Sequence, residues 1–332
     1  MQRLTDIESL LTEKVIIDVR SPIEYNHAHI PTAKNLPLFS DEERKIVGTT
    51  YKHLGKRPAI EKGLEFVSFP RILKDISRLE IPHSVAIYCA RGGMRSASMA
   101  WLMELLGYEV HLVDGGYKKY RKWVSDQFLR PYRLQVLGGE TGSGKTKILK
   151  AIEKAGNHIV DLEGLAQHRG SVFGYMDKQP TQEQFENTLA QLLNALKNNT
   201  IWIEDESERI GSLVIPHHFF EQMRLAPMIV LDAPYDTRVQ ECLNEYVPLG
   251  KKQLSIAIHR LQKRLGGLET KKAVEAIEQD QYEACCKILL HYYDKKYRYA
   301  IGRKNPDKVS IFRRENRTIE ETGLALLRIL NF

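Results

Sequence analysis

The chain has no apolar run near the ~20 residues that a membrane-spanning helix requires, so a helical membrane protein is excluded. Cysteine is scarce, with four residues in 332: Cys89, Cys242, Cys285 and Cys286. That is too few for a disulfide scaffold, and their spacing fits no metal-ligand pattern. Internal repeats and low-complexity segments are also missing. The first residues, Met1-Gln-Arg-Leu-Thr-Asp-Ile-Glu8, do not form a secretory signal. These absences lead us to expect a cytoplasmic protein with reduced thiols and no membrane partner.

What is present is enough for two domains of ordinary globular composition, with 42% hydrophobic residues over 332 positions. Net charge is +7, unevenly placed. Residues 1–130 carry 20 Lys+Arg against 16 Asp+Glu, residues 131–249 carry 11 against 16, and residues 250–332 carry 18 against 10. The basic excess therefore lies in the last quarter. It marks either a surface for a polyanion or a solvated helical face, and charge alone leaves both open.

Strand and helix signals alternate along the first 130 residues. Val15–Asp18, Ser84–Tyr88 and Val110–Val113 read as short apolar strands. Met99, Leu102, Met103 and Leu106 recur at helical spacing and the run stops at Gly107. Such alternation predicts a parallel sheet covered on both faces. A seam is expected near Asp126–Tyr132, where Pro131 breaks a helix. A second α/β unit opens at Arg133–Leu137, with strands expected at His158–Leu162, Thr200–Ile203 and Met228–Leu231. Helices are expected at Gln182–Lys197, Asp236–Tyr246, Leu254–Leu265 and Thr270–Tyr297. Cys285 and Cys286 fall inside the last of these. Adjacent helical positions point about 100° apart, so the pair reads as packing.

Two short segments carry chemistry. The first is Cys89-Ala-Arg-Gly-Gly-Met-Arg-Ser96, placed between a strand and a helix. Loop amides and the helix N-terminus converge there and favour an anion. Arg91 and Arg95 add positive charge, Gly92 and Gly93 permit a tight backbone, and Ser96 closes the loop. Such surroundings lower a thiol's pKa and make Cys89 a nucleophile.

The second is Gly139-Glu-Thr-Gly-Ser-Gly-Lys-Thr146, also between a strand and a helix. Gly139, Thr141, Gly142, Ser143 and Gly144 form a diphosphate cradle, with Lys145 supplying charge and Thr146 a hydroxyl for Mg²⁺. Glu204-Asp205-Glu206 are candidate metal carboxylates, and Asp161 and Glu163 are the alternatives. His168 and Arg169 follow the latter pair and face either a substrate or the core. The cradle fits any diphosphate, and no segment identifies ATP or GTP.

Asp18-Val-Arg-Ser-Pro-Ile-Glu-Tyr25, His29-Ile-Pro31 and Asp114-Gly-Gly116 occur in the order of the hallmark segments of the rhodanese family, which residues 1–125 resemble. The loop is one residue longer between Cys89 and Arg95 than the common rhodanese form. Cys-x5-Arg is also the pattern of rhodanese-fold dual-specificity phosphatases, although Tyr88 stands where those have His.

Almost the whole chain resembles the tRNA 2-selenouridine synthase family. The likeness rests on the Cys89–Ser96 loop and on Glu43-Arg44…Val47-Gly-Thr49…Tyr51-Lys52. Asp161-Leu-Glu-Gly164, His168-Arg-Gly-Ser171…Phe173-Gly174, Glu204-Asp-Glu-Ser207…Ile210-Gly211 and Tyr292-Tyr-Asp294…Tyr297 add to it. Where that family often has an aromatic after the loop cysteine, this chain has Ala90.

The resemblance implies an α/β fold. A rhodanese-like domain with a parallel sheet, residues 1–128, precedes a P-loop NTPase-like domain, residues 129–332, with a helical basic C-terminal portion. It further implies a transferase acting on the wobble 2-thiouridine of tRNA. The sulfur is first S-geranylated from geranyl diphosphate, and the geranylthio group is then displaced by selenium from selenophosphate. These are substrates, with no tightly bound cofactor and Mg²⁺ as an option, and an enzyme supplying selenophosphate becomes a potential partner. Cys89 either carries selenium or only orients its donor.

The tRNA anticodon region is expected on Lys251, Lys252, Lys263 and Arg264, with Tyr292, Tyr293, Tyr297 and Tyr299 either stacking an unpaired base or packing their helix. Two rival readings remain: a sulfurtransferase or Cys-x5-Arg phosphatase fused to an NTPase, and a nucleotide-switched RNA-binding module on an inert scaffold.

Overall fold

A computed structural model describes residues 2–12, 15–168, 179–302, 304–315 and 317–330. The chain divides into two compact units, Met1–Phe128 with Thr181–Gln191, and Leu129–Pro180 with Leu192–Phe332.

The first unit runs β1 (Gln2–Leu4), α1 (Ile7–Leu11), β2 (Ile16–Asp18), α2 (Pro22–His27), β3 (Lys34–Asn35), α3 (Asp41–Leu54), α4 (Lys56–Phe66), α5 (Phe69–Leu79), β4 (Ser84–Tyr88), α6 (Met94–Leu105), β5 (Glu109–Val113) and α7 (Gly116–Gln127). Its five strands lie in the order β1-β5-β4-β2-β3, all parallel. β4 is central and buried. It directs Cys89 out of the carboxyl end of the sheet, the end at which open α/β sheets bind ligands.

The helices α3 to α5 were not anticipated from strand–helix alternation. α3 starts at a capping box, Ser40 with Glu43, which satisfies two orphan amides. Ile72 and Ile76 of α5 join the core formed by Ile17, Val85, Ile87, Met99 and Met103.

The second unit contains β6 (Arg133–Gly139), α8 (Lys145–Lys154), β7 (His158–Val160), α9 (Leu162–Leu165), α10 (Gln182–Ala195, whose first ten residues belong to the first unit), β8 (Thr200–Glu204), β9 (Arg209–Ile210), β10 (Leu213–Val214), α11 (His217–Leu225), β11 (Met228–Asp232), α12 (Tyr235–Tyr246), α13 (Gly250–Leu265), α14 (Gly267–Glu278), α15 (Tyr282–Ile301), β12 (Val309–Arg313) and α16 (Ile319–Leu330). β12-β11-β6-β8-β7 form a second parallel sheet. β6 is central, and Leu137 is in register with Glu204, so the phosphate loop and Glu204 leave the same sheet end.

α12 to α15 pack around their own core, which includes Leu254, Ile258, Leu261, Ile277, Leu289 and Leu290 together with Cys242, Cys285 and Cys286. The single helix expected over Thr270–Tyr297 is two helices. Glu278-Gln-Asp-Gln281 offers no apolar side chain to hold a turn on that core, and Asp280 takes a left-handed backbone (φ 59°). β12 and α16 had no counterpart in the sequence reading. Among the described residues no helix is long and apolar enough to cross a membrane.

Candidate functional site

Cys89 is 3% exposed and sits between β4 and the N-terminus of α6. The Gly93 amide donates to its Sγ at 3.3 Å, and the Ser96 hydroxyl at 3.2 Å. Burial alone would push this thiol up. The Ser96 hydroxyl and the amides of Arg91, Ser96 and Gly93 outweigh burial and bring it below the ordinary cysteine value. The Gly115–Gly116 turn seals the loop from behind, with Tyr117 N donating to Cys89 O at 2.9 Å. A Cβ on Gly116 (φ +55°) would lie 2.2 Å from Cys89 O, so the hallmark glycine is a steric requirement of this loop.

The loop's two arginines differ. Arg91 is exposed. Arg95 is held by Glu24, Nη1 to Oε2 at 2.7 Å, and Arg44 approaches the same carboxylate at 3.6 Å. Burial works against ionised Glu24, but Arg95, the Ser21 amide and Arg44 hold its carboxyl below the usual range. The arginine that a Cys-x5-Arg phosphatase would turn on phosphate is thus committed to a carboxylate here. Tyr88 is committed as well: its hydroxyl donates to Asp18 Oδ2 at 2.6 Å. Arg20 grips Asp18 with Nε and Nη2 and lies over the Tyr117 ring at 3.8 Å. These buried groups fix the β2 and β4 ends beneath the cysteine loop.

In the second unit Lys145 Nζ donates to Gly139 O at 2.9 Å and lies 3.5 Å from Glu204 Oε1. Thr146 Oγ1 donates to Glu204 Oε2 at 3.0 Å. The first-turn amides of α8 are orphan donors and favour an anion. Ser143 Oγ is buried with no partner among the described residues. Glu163 and Glu206 share this neighbourhood. Burial, reinforced by the charge of Glu204, pushes Glu163 up to about 7 against the opposing pull of Lys145. Glu206 is driven well above the usual carboxylate range by burial and then by Glu204 and Glu163. Thr146 and Glu204 supply the hard oxygen donors that Mg²⁺ takes beside a phosphate. Among the described residues no group of three or more His, Cys, Asp or Glu forms a ready metal cluster.

Sequence reasoning missed what holds the phosphate loop. Arg238, 3% exposed, donates from Nε to Thr141 O at 2.9 Å and pairs with both Glu140 and Asp294. Arg298 takes the other oxygen of Glu140 at 2.8 Å, and the Gly139 amide donates to the Tyr297 hydroxyl. A Cβ on Gly142 (φ +78°) would lie 2.5 Å from Arg238 O, so the loop is pressed onto α12. The available signal was an arginine on the buried stripe Arg238, Val239, Cys242, Tyr246 of α12.

The other expected residues fall in separate places. Asp161 caps α9, accepting from Gly164 N at 2.8 Å. Asp205 pairs with Lys304 at 2.6 Å. His168 is half-buried, its Nδ1 without a partner among the described residues, and burial lowers its pKa. Arg169 lies outside the described residues. Lys251 and Lys252 stand at the start of α13 and Lys263 and Arg264 at its end, so the helix does not gather them. Lys251 is further tied to Asp280 at 2.7 Å.

Comparison with known proteins extends this picture. A family model described as tRNA 2-selenouridine synthase AAA domain matches residues 132–324, and one described as Rhodanese-like domain matches residues 4–122. The tRNA 2-selenouridine synthase of Hydrogenovibrio crunogenus is 35% identical, covering 90% of this chain and 92% of that one. That of Shewanella sediminis is 36% identical over 90% of each chain. That of Sulfurovum sp. is 35% identical, covering 95% of this chain and 96% of that one.

Proposed function

The chain belongs to the tRNA 2-selenouridine synthase family, and from that premise we propose that it converts a wobble 2-thiouridine of tRNA to 2-selenouridine in two transfers. In the first, the thiocarbonyl sulfur bonds to C1 of geranyl diphosphate. The carbon–oxygen bond breaks and diphosphate leaves. In the second, selenium from selenophosphate bonds to the ring carbon that carried sulfur. Geranylthiol departs, and water takes the phosphoryl group as phosphate. Alkylation makes the sulfur a leaving group, which is the chemical reason for the intermediate.

The observation that carries this reading is the Cys89 thiol, brought below its ordinary pKa despite burial by donors at 3.2 and 3.3 Å. A thiolate at a helix N-terminus suits either capture of selenium or orientation of its tetrahedral anionic donor. The diphosphate of the prenyl donor is assigned to Gly139–Thr146, with Lys145 stabilising charge on the departing diphosphate. Thr146 and Glu204 would hold Mg²⁺ there, and its contribution is to neutralise the same charge. The substrate tRNA and a selenophosphate-making enzyme place the reaction in the cytoplasm.

The test is mass spectrometry of nucleosides from 2-thiouridine tRNA treated with geranyl diphosphate and then selenophosphate. Cys89→Ala should lose selenouridine and keep geranylation. Lys145→Ala should lose geranylation yet still selenate tRNA that already carries the geranylthio group. Normal selenouridine from Cys89→Ala would remove the thiol from the scheme, and an equal loss of both steps in Lys145→Ala would end the separation of duties.

A further inference from the structure

The end of α13, the start of α14 and the outer face of α15 enclose an open groove of about 1110 Å³. Its walls include Arg264, His291, Tyr292, Lys295, Lys296 and Tyr299. The carboxylate on its lining, Glu269, is paired with Lys272 at 2.8 Å. Tyr299 is 72% exposed, and the Lys296 ammonium lies 5.1 Å from the Tyr292 ring centre. The Tyr292 hydroxyl is buried with no partner among the described residues, a group that the protein itself leaves unsatisfied.

We propose that this groove seats an unpaired nucleotide of the RNA substrate, with its base stacked on Tyr299 and the flanking phosphates on Lys295, Lys296 and Arg264. The assignment rests on the tRNA reading above. Three features select this occupant. The volume, at the upper end of the ~300–1,000 Å³ typical of small-ligand sites, has room for a nucleotide and is far more than a lone anion fills. Aromatic faces interleaved with cations are how proteins hold single-stranded nucleic acid, through stacking and charge together. Leu265 and Ile288 add apolar wall against which a base can lie, and the cations beside them pair with the phosphates flanking that base, which a prenyl chain lacks.

The test uses the full-length protein and two probes, a synthetic anticodon stem-loop RNA and a fully paired duplex of the same stem. Binding is followed by fluorescence anisotropy over a salt series. Tyr299→Ala should weaken the stem-loop by ~5–150-fold, the range that one base–aromatic stack supplies. It should leave duplex affinity and the salt slope as in wild type, and Tyr299→Phe should retain affinity. Lys295→Gln with Lys296→Gln should lower the slope of log K against log salt by about 1.4–1.8, two phosphate contacts' worth. Wild-type affinity and slope in both variants, or equal loss for stem-loop and duplex in Tyr299→Ala, would overturn the proposal. Failure of the wild-type protein to bind the stem-loop at all would count against the tRNA reading itself.

Discussion

Replacing Ser96 by alanine isolates one force that holds the Cys89 thiol below its ordinary pKa. The Ser96 hydroxyl has one hydrogen and two acceptors in reach, Cys89 Sγ at 3.2 Å and Gly93 O at 3.0 Å. A thiolate, as the charged acceptor, takes it. Hydrogen bonds to charged groups contribute about 1.5–3 kcal/mol, and one pKa unit is about 1.4 kcal/mol. Ser96→Ala should therefore raise the Cys89 pKa by what the loss of one such bond removes, because burial is then opposed only by amides such as those of Arg91 and Gly93.

The assay is the pH dependence of iodoacetamide labelling, read cysteine by cysteine by peptide mass spectrometry. Cys242 and Cys285 act as internal controls. The hydrogen bond with the Cys286 thiol, then burial, raises Cys242, and burial with that same thiol raises Cys285 to about 12, so both stay protonated. The Cys89 midpoint should move up, and its labelling below that midpoint should fall, following the loss of thiolate. Stability gives a second sign. A thiol whose folded pKa is depressed adds stability above its unfolded pKa, and that gain is lost as pH falls through the folded value. The variant should show less of the gain at alkaline pH. An unchanged midpoint in a protein folded by circular dichroism would refute the idea that the Ser96 hydroxyl tunes the thiol.

Two further outcomes concern the second unit. Glu163 titrates near 7 beside Lys145 and Glu204, so calorimetry should show inorganic diphosphate binding weakening as pH rises through 7. Glu163→Gln should flatten that trend relative to wild type at each pH. The same raised pKa means that stability present below the unfolded carboxylate value is lost as pH rises toward about 7. The Tm difference between variant and wild type should therefore widen from pH 5 to 8. Arg238→Met leaves Asp294 and Glu140 without their buried partner; denaturant unfolding should lose about 3–5 kcal/mol, and an unchanged midpoint would show that the clamp is not holding the loop.

The two anion loops were legible in the sequence because their chemistry is local. Each is one contiguous segment between a strand and a helix, and glycines, a nucleophile and cations announce themselves without tertiary information. The parallel sheets were legible for the same reason, from short apolar strands alternating with helices. The clamp on the phosphate loop was not, since Arg238 and Asp294 meet only through the packing of α12 on α15. Charge misled in the same way. The +8 balance of residues 250–332 is a true count, yet Lys251, Lys287, Arg298 and Lys304 all have carboxylate partners. Counting charges cannot reveal which of them have been paired within the fold.

Helical spacing also lets one element face both of the proposed anionic ligands. Along α15, Asp294, Tyr297 and Arg298 stand three and four residues apart, on one face, and all three engage the phosphate loop or its clamp. Lys295 and Lys296 fall between them in sequence, Tyr299 follows directly, and these three turn toward the groove. A glycine-rich loop has much conformational freedom to lose on binding a diphosphate. Side chains that already hold Gly139, Glu140 and Thr141 remove part of that loss beforehand, which is preorganisation. With an RNA nucleotide on the opposite face, the same stretch of helix would order the cradle for the prenyl donor and position the acceptor strand. The proposed alkylation of one sulfur of an RNA needs both at once.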